Sequence, residues 1–407
     1  MKLSFLYALP ATALALMACN GDHLAPQPPH ESLTTGRMAV ASLMSSHVIQ
    51  NGMTLADMNN VISGASAGDT VLVEAGTYQI TGKITMKPGI TLLGQGVPVF
   101  DATVDAGGTP ATVLLTMSYT TDMDNCVIKG ISFLNIRYLI SNANKPMIAF
   151  CKFDQGKRPA GTDKLYYHDA YLHLSGTDSA VVDNCEIYRR TGHTGRAIWS
   201  TGGATYTRII NNTIGDGGAG GYFVTAINDT QTDHTTIQAN TIERNPALNS
   251  SPAHTDHGIY VHSFAQTLIK YNTINGWPSD ASGGAVKARN GHYLTIFGNI
   301  MGGSGVLLYE YDVPAYNYFK FVDVSYNTIT VASPVNDMYH GIGYYRNNTN
   351  GFEHSIRITH NTMPNGTIYA NFGALNVTNF NAASGGVFDN DMGLLNLKSG
   401  INASGNS

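Results

Sequence analysis

Charge is scarce in this chain. Of its 407 residues, 13% are Asp, Glu, Lys or Arg, about half the usual share for a compact soluble protein. The 23 Lys and Arg are outnumbered by 28 Asp and Glu, which excludes a nucleic-acid binder working by a bulk positive field. Cysteine is rarer still: four residues, with no Cys-x-x-Cys and no matching His pair, argue against a zinc site. Long apolar runs are missing as well. The one candidate, Leu3 to Met17, is interrupted by Ser4, Pro10 and Thr12 and is too short to cross a bilayer and stay there. Disorder is excluded from the other side, because 43% of the residues are hydrophobic and 22 Tyr with 14 Phe can fill a large core. The length admits one long repetitive domain without demanding two.

Read with its flanks, the apolar run is an export signal. Lys2 precedes it, Leu16-Met17-Ala18-Cys19 closes it, and Asn20-Gly21-Asp22 turns polar at once. The closing four residues resemble the bacterial lipobox. That resemblance implies a lipoprotein signal peptide over 1–18, lipidation of Cys19 as the membrane anchor, and sorting through Asn20 to the outer membrane or cell surface. Ordinary signal cleavage is the alternative, and either route exports the protein. Residues 19–46, with Pro26, Pro28 and Pro29, read as a flexible tether, which leaves 47–407 as the folded domain. Three cysteines remain there, so at least one thiol is unpaired. The contexts Asp124-Asn125-Cys126-Val127-Ile128, Ala149-Phe150-Cys151-Lys152-Phe153 and Asp183-Asn184-Cys185-Glu186-Ile187 predict one position in successive repeats, holding buried, stacked thiols.

A phrase recurs through the second half: Asn212-Thr213-Ile214, Asn240-Thr241-Ile242, Asn272-Thr273-Ile274, Asn299-Ile300, Asn327-Thr328-Ile329 and Asn361-Thr362-Met363, at spacings of 28, 32, 27, 28 and 34. Asn184 and Asn390 extend it by 28 and 29 residues. Each Asn follows a short β-rich run such as Thr207-Arg208-Ile209-Ile210, so helical repeats are excluded. A period near 28, divided into short strands with Asn or Gly corners, is what a parallel β-helix requires. Asn in a left-handed corner can bond its amide to the Asn one coil away, which predicts an internal Asn stack.

The opening of the domain agrees. Met53 to Ile62 is an amphipathic helix candidate, followed by Ala67-Gly68-Asp69-Thr70-Val71-Leu72-Val73, Gly76-Thr77-Tyr78 and Pro88-Gly89-Ile90-Thr91-Leu92-Leu93-Gly94. This run resembles the first coils of the pectate-lyase-like right-handed parallel β-helix superfamily. The resemblance implies an all-β, single-stranded right-handed β-helix of about ten coils with an N-terminal capping helix.

A second strand family precedes each Asn phrase: Ala197-Ile198-Trp199-Ser200-Thr201, Gly258-Ile259-Tyr260-Val261-His262, Ala285-Val286-Lys287-Ala288-Arg289 and Val306-Leu307-Leu308-Tyr309-Glu310. Alternation turns Ile259, Val261, Val286 and Ala288 inward, and Tyr260, His262, Lys287 and Arg289 outward. Tyr260 and Lys287 each lie 12 residues before their Asn, and His262 and Arg289 each 10 before, so the pairs align on neighbouring coils. Trp199, Tyr309, Glu310 and Asp312 extend the face, with Tyr345 and Arg346 beyond. The loop His254-Thr255-Asp256-His257 leads into it, and Arg189, Arg190, His193 and Arg196 form an earlier basic cluster. Aromatic rings with polar neighbours suit sugars.

These residues predict a polysaccharide lyase that cleaves a uronic-acid-containing glycan by β-elimination. Lys287 is the expected base, Arg289 the carboxylate partner and Tyr260 or His262 the proton donor. Trp199, His257, Tyr309, Glu310, Arg196 and Tyr345 are the expected substrate-binding residues, and an acidic polysaccharide the expected partner of a monomer. The Lys287 strand resembles the catalytic Lys region of chondroitinase-B-like and alginate lyases. It departs from them one coil later, where Leu308, Tyr309 and Glu310 stand in place of an Arg. The same resemblance leaves calcium as a candidate cofactor, with Asp256 and Asp312 as candidate ligands. A mannuronan C5-epimerase, another carbohydrate-active enzyme and a non-catalytic surface glycan-binding lipoprotein are the alternatives. The paired-Asp and Arg-Ile-Lys motifs of polygalacturonase-like hydrolases, the Arg-x-Pro-x-x-Arg of pectate lyases and the Asp-Pro-His-Asp of the epimerases are missing from the sequence.

Overall fold

The computed structural model describes residues 47–105, 107–111, 113–154, 169–190, 195–244, 257–277, 284–310, 319–332, 340–346, 355–371 and 385–407. They form a right-handed parallel β-helix. One coil shows the plan: Arg196–Thr201, Arg208–Ile210 and Thr213–Gly215 follow one another and pair in parallel with Thr225–Thr230, Thr236–Gln238 and Thr241–Glu243 of the next. These strands define a first, second and third face. The second face runs from His47–Ile49 to Ala403–Ser404, a longer stack than the expected ten or so coils.

Alternation along each short strand explains the core. One inward residue per strand stacks on its counterpart in the next coil, so Ile209, Ile237, Ile269, Ile296, Val324 and Ile358 make one buried column. Ile187, Ile214, Ile242, Ile274, Met301 and Ile329 make the second. Ile198, Ile227, Ile259, Val286, Val306 and Ile342 make the third. Each such side chain contributes about 1.5–3 kcal/mol by burial. Toward the N-terminus aromatics do this work, with Phe133 stacked on Phe153 and Phe100 edge-on to Phe133. The helix Leu55–Gly64 starts in a capping box, in which Asp57 N–H donates to Thr54 Oγ1 at 3.2 Å and Thr54 N–H donates to Asp57 Oδ2 at 3.1 Å. It buries Met58 and Ile62, one turn apart.

At the corner between the second and third faces, the asparagines form a continuous buried ladder. Asn240 N–H and Nδ2 both donate to Asn272 Oδ1 at 2.9 Å, and Asn240 Nδ2 also reaches Ile209 O at 2.9 Å. The pattern repeats from Asn212 to Asn390 and ends on Asn406. Three expectations are corrected here. The left-handed residue is not the ladder Asn but the one before it, Asn211, Ala239, Tyr271, Tyr326 or His360, with φ between 54° and 57°. Asn184 is such a preceding residue, and Cys185 holds the ladder position, its N–H donating to Asn212 Oδ1 at 2.9 Å. Cys151 aligns with Cys185, each just before a third-face strand, whereas Cys126 stands before the second-face strand Val127–Lys129 and is not in that column. All three thiols are buried and free. The left-handed conformation costs about 1–2 kcal/mol at each residue with a Cβ, and the paired amide bonds of the next residue offset it.

Removing a central amide strands the donors of the preceding coil in the dry interior. Asn272→Ala is therefore expected to destabilise the protein by about 3 kcal/mol or more, and Asn406→Ala, at the exposed end, by about 1 kcal/mol. Denaturant midpoints of the two variants check the ordering, and equal losses would show that the ladder does not act as a buried network.

Candidate active site

The first face carries the candidate site. Its register places Tyr260 beside Lys287 and His262 beside Arg289, with Ile259 and Val286 inside, as the residue counts predict. Extended along the stack, one outward row reads His173, Trp199, Asn228, Tyr260, Lys287, Leu307. The adjoining row reads Thr230, His262, Arg289, Tyr309, Tyr345. Coils about 4.8 Å apart bring each consecutive pair into contact range.

Lys287 is not a solvated surface lysine: it is only 9% exposed. Its Nζ lies 4.8 Å from the centre of the Tyr309 ring, and the Arg289 guanidinium lies 6.0 Å from the same centre. Tyr345 stacks on Tyr309 at 4.6 Å and 15°. The Tyr309 ring thus lies against both cations, with Lys287 the nearer. Burial, then the Arg289 charge, lowers Lys287 from its ordinary 10.5 to about 8. His262 is lowered to about 4 by burial first, then by Arg289 and Lys287, and is neutral at neutral pH. Its Nε2 is buried with no hydrogen-bond partner among the described residues. Tyr260 lies between two imidazoles, with ring centres 5.1 Å from His257 and 6.0 Å from His262.

Other expected site residues are placed differently. Glu310 faces the interior, 0% exposed, where Oε1 accepts the Phe319 N–H at 2.8 Å. It is a structural carboxylate that fixes the return of the chain, so its assignment to substrate binding is corrected. His257 is buried against Tyr260, and Arg196 is buried with its guanidinium 4.3 Å over the Trp199 ring. Arg190 is engaged with Asp154 through an ion pair of 2.6 Å, and Arg189 is fully buried, so both serve the scaffold. Cys19, His193, His254, Asp256, Asp312 and the side chain of Arg346 lie outside the described residues. Among the described residues no three His, Cys, Asp or Glu side chains gather as a metal site.

Sequence reasoning missed His173. Its ring stacks on Trp199 at 4.2 Å and 10°, and burial followed by Arg137 and Arg196 lowers it to about 4. The signal was present, since His173 lies 12 residues before Cys185 as Tyr260 lies 12 before Asn272, but the coil lacks its Asn. Asn228, buried between Trp199 and Tyr260, was missed as well. Behind it Asp229 faces the interior, held by Thr232 Oγ1 at 2.7 Å and Thr235 Oγ1 at 3.1 Å, and burial raises it to about 6.

Residues 164–300 match the family described as the right-handed beta-helix region. Among solved structures, the surface adhesin PfbA of Streptococcus pneumoniae aligns over 87% of this chain and 88% of its own, at 14% identity and a TM-score of 0.51. A second structure of that adhesin aligns over 88% and 98%, at 15% identity and a TM-score of 0.50. An alginate lyase from Paenibacillus sp. aligns over 74% and 98%, at 16% identity and a TM-score of 0.48. No curated protein matches the sequence. At these identities the likeness establishes the coil architecture, and function has to be argued from the site.

The lowered Lys287 value has a consequence for stability. The folded state holds this proton less tightly than the unfolded chain, so burying the ammonium costs stability below about pH 8, and the cost fades as pH rises toward 10.5. Lys287→Met is expected to raise stability at pH 7 by about 3 kcal/mol and to give no such gain above pH 10.5. Thermal melting at the two pH values tests this, and a destabilised variant at pH 7 would show that the ammonium is well paired.

Proposed function

We propose that the protein is a polysaccharide lyase acting on a uronic-acid-containing glycan, with its chemistry on the first face at Lys287. The observation that carries this reading is the register that sets Lys287 against Tyr260 and Arg289 against His262 on adjacent coils. Elimination requires a base for H5, a cation to stabilise the carboxylate as charge spreads into it, and a proton for the departing O4. A lysine at about 8 has a usable fraction of free amine near neutral pH. Its Nζ takes H5, the electron pair forms the C4=C5 bond, the C4–O4 bond breaks, and O4 takes the Tyr260 phenolic proton. Arg289 faces the carboxylate. His262, neutral at this pH, is a poor acid and serves as a hydrogen-bonding neighbour, which leaves Tyr260 as the donor of the pair. Lipidation at Cys19 would hold this face at the outer membrane or cell surface, where such glycans are met.

The test is the absorbance of newly formed conjugated double bonds when the mature protein meets alginate, pectate, glycosaminoglycans and bacterial uronate exopolysaccharides. A rise is expected with one of them, with kcat/KM climbing through about pH 8 and levelling above it, as the amine loses its proton. Lys287→Ala is expected to lower the rate by about 10²-fold or more. Epimerised product without unsaturation would assign the same residues to a C5-epimerase. Binding without any product would assign the face to glycan adhesion.

A further inference from the structure

Where the first face turns into the second, each coil passes through a residue in the left-handed conformation. Parallel register stacks these residues into one outward column on five successive coils, Tyr206, His234, Gln266, Tyr293 and Phe321, with φ between 52° and 59°. Ser179 holds the same place one coil earlier, so the corner itself does not require a ring. Tyr206, Tyr293 and Phe321 remain about half exposed and gain little from burial. Large exposed aromatics gathered in one column mark a contact surface. The rings are paired, with a gap. Tyr206 stacks on His234 with centres 4.5 Å apart, and Tyr293 on Phe321 at 5.1 Å. Exposed Gln266 stands between the pairs. The facing sides of His234 and Tyr293 are therefore two coils, or about 9.6 Å, apart. A depression of about 490 Å³ opens here, lined by Gln266, Thr267, Leu268, Tyr293 and Thr295, a volume in the range of small-ligand sites. Carbon atoms pack best at about 3.5–4.0 Å, so a flat ring held between two others needs about 7–8 Å. A pyranose chair is thicker and fits the wider gap. Its C–H faces pack on His234 and Tyr293, and its hydroxyls reach the Gln266 amide and the Thr295 hydroxyl at the floor.

Charge selects among sugars. Lys320 holds its ammonium 5.8 Å from the centre of the Tyr293 ring and 5.7 Å from that of Phe321, and Lys270 lies on the coil of Gln266. Neither lysine forms an ion pair among the described residues. Of the nearby acids, Asp233 sits against His234 Nδ1 at 2.8 Å, and Asp323 lies opposite Arg357 in register. We propose that the gap at Gln266 is a holding slot for one unit of a uronic-acid-containing glycan, its ring clamped between His234 and Tyr293 and its carboxylate drawn to Lys320. The proposal rests on the glycan reading of the Lys287 face and adds a position that takes no part in elimination. Lys287 and Tyr293 stand six residues apart on the strand Gly284–Phe297. That separation is at most about 20 Å, so a polymer seated in the slot keeps further units of the same chain near Lys287 at a raised effective concentration.

The test is affinity electrophoresis of Lys287→Ala, in which turnover is blocked, through gels containing alginate, pectate or hyaluronate. One polymer is expected to retard the protein. On that background Tyr293→Ser and His234→Ser, which install the residue found at Ser179 in the same column, are each expected to weaken binding by about tenfold. Lys320→Gln is expected to weaken it less and to leave it less sensitive to salt. Melting curves confirm that each variant is folded, and double-bond formation by the intact protein is followed in parallel. Binding unchanged in either Tyr293→Ser or His234→Ser overturns the slot, even where the intact protein forms double bonds. So does a failure of all three polymers to retard the protein. Binding lost in both variants, in a protein that forms no double bond with any polymer, supports the slot and overturns the elimination reading alone.

Discussion

Everything in this molecule depends on the registry between one coil and the next. Parallel strands about 4.8 Å apart fix which residue lies over which, and the buried Asn ladder keeps that registry from slipping. A slip of one residue would turn every inward isoleucine outward. It would also separate each Asn amide from both the carbonyl below and the oxygen above it. Side-chain columns and backbone ladders therefore select the same alignment. The face that carries Lys287 inherits its geometry from a corner on the far side of the coil, which contains no candidate catalytic residue.

That alignment is used to hold unfavourable neighbours together. Lys287, Arg289 and His262 sit on adjacent coils, with the Tyr309 ring beside both cations. The one nearby acid on the following strand, Glu310, is turned into the interior to receive the Phe319 N–H. Concentrated positive charge in a protein with so little charge elsewhere gives a local field for an acidic ligand where the net charge of −5 provides none. The strain is tolerated because the columns beneath, Ile259 on Val286 and Val261 on Ala288, are fully buried and in register.

The β-helix was legible because its repeat is written in two independent ways, as Asn spacing and as alternation within short strands. The same counts placed Tyr260 against Lys287 and His262 against Arg289 correctly. What escaped was anything that depended on a coil with an irregular marker. Cys185 in place of Asn concealed His173, and Asn184 looked like a ladder residue because an Asn there serves a left-handed corner instead. Alternation in phase with Val306 and Leu308 already turned Glu310 inward; what the sequence did not show was the partner that makes a buried carboxylate tenable there, a backbone donor nine residues later. The burial of Lys287 was equally hidden, because alternation gives a side chain's direction and not what covers it; here Tyr260 and Leu307 flank it on the neighbouring coils and the Tyr309 ring lies 4.8 Å from its Nζ.

The ladder has a direction. Each Asn oxygen receives the backbone N–H and one Nδ2 hydrogen of the preceding coil's Asn, while its own backbone N–H and one Nδ2 hydrogen wait for the following one. A chain that emerges N-terminus first therefore always presents a newest coil whose amides are unsatisfied, until the next coil arrives to accept them. The capping helix covers the end that is made first, and Asn406 accepts both donors of Asn390 at the other end of the ladder. Assembly on this scheme is vectorial, a zipper whose free teeth point toward the segment still to come.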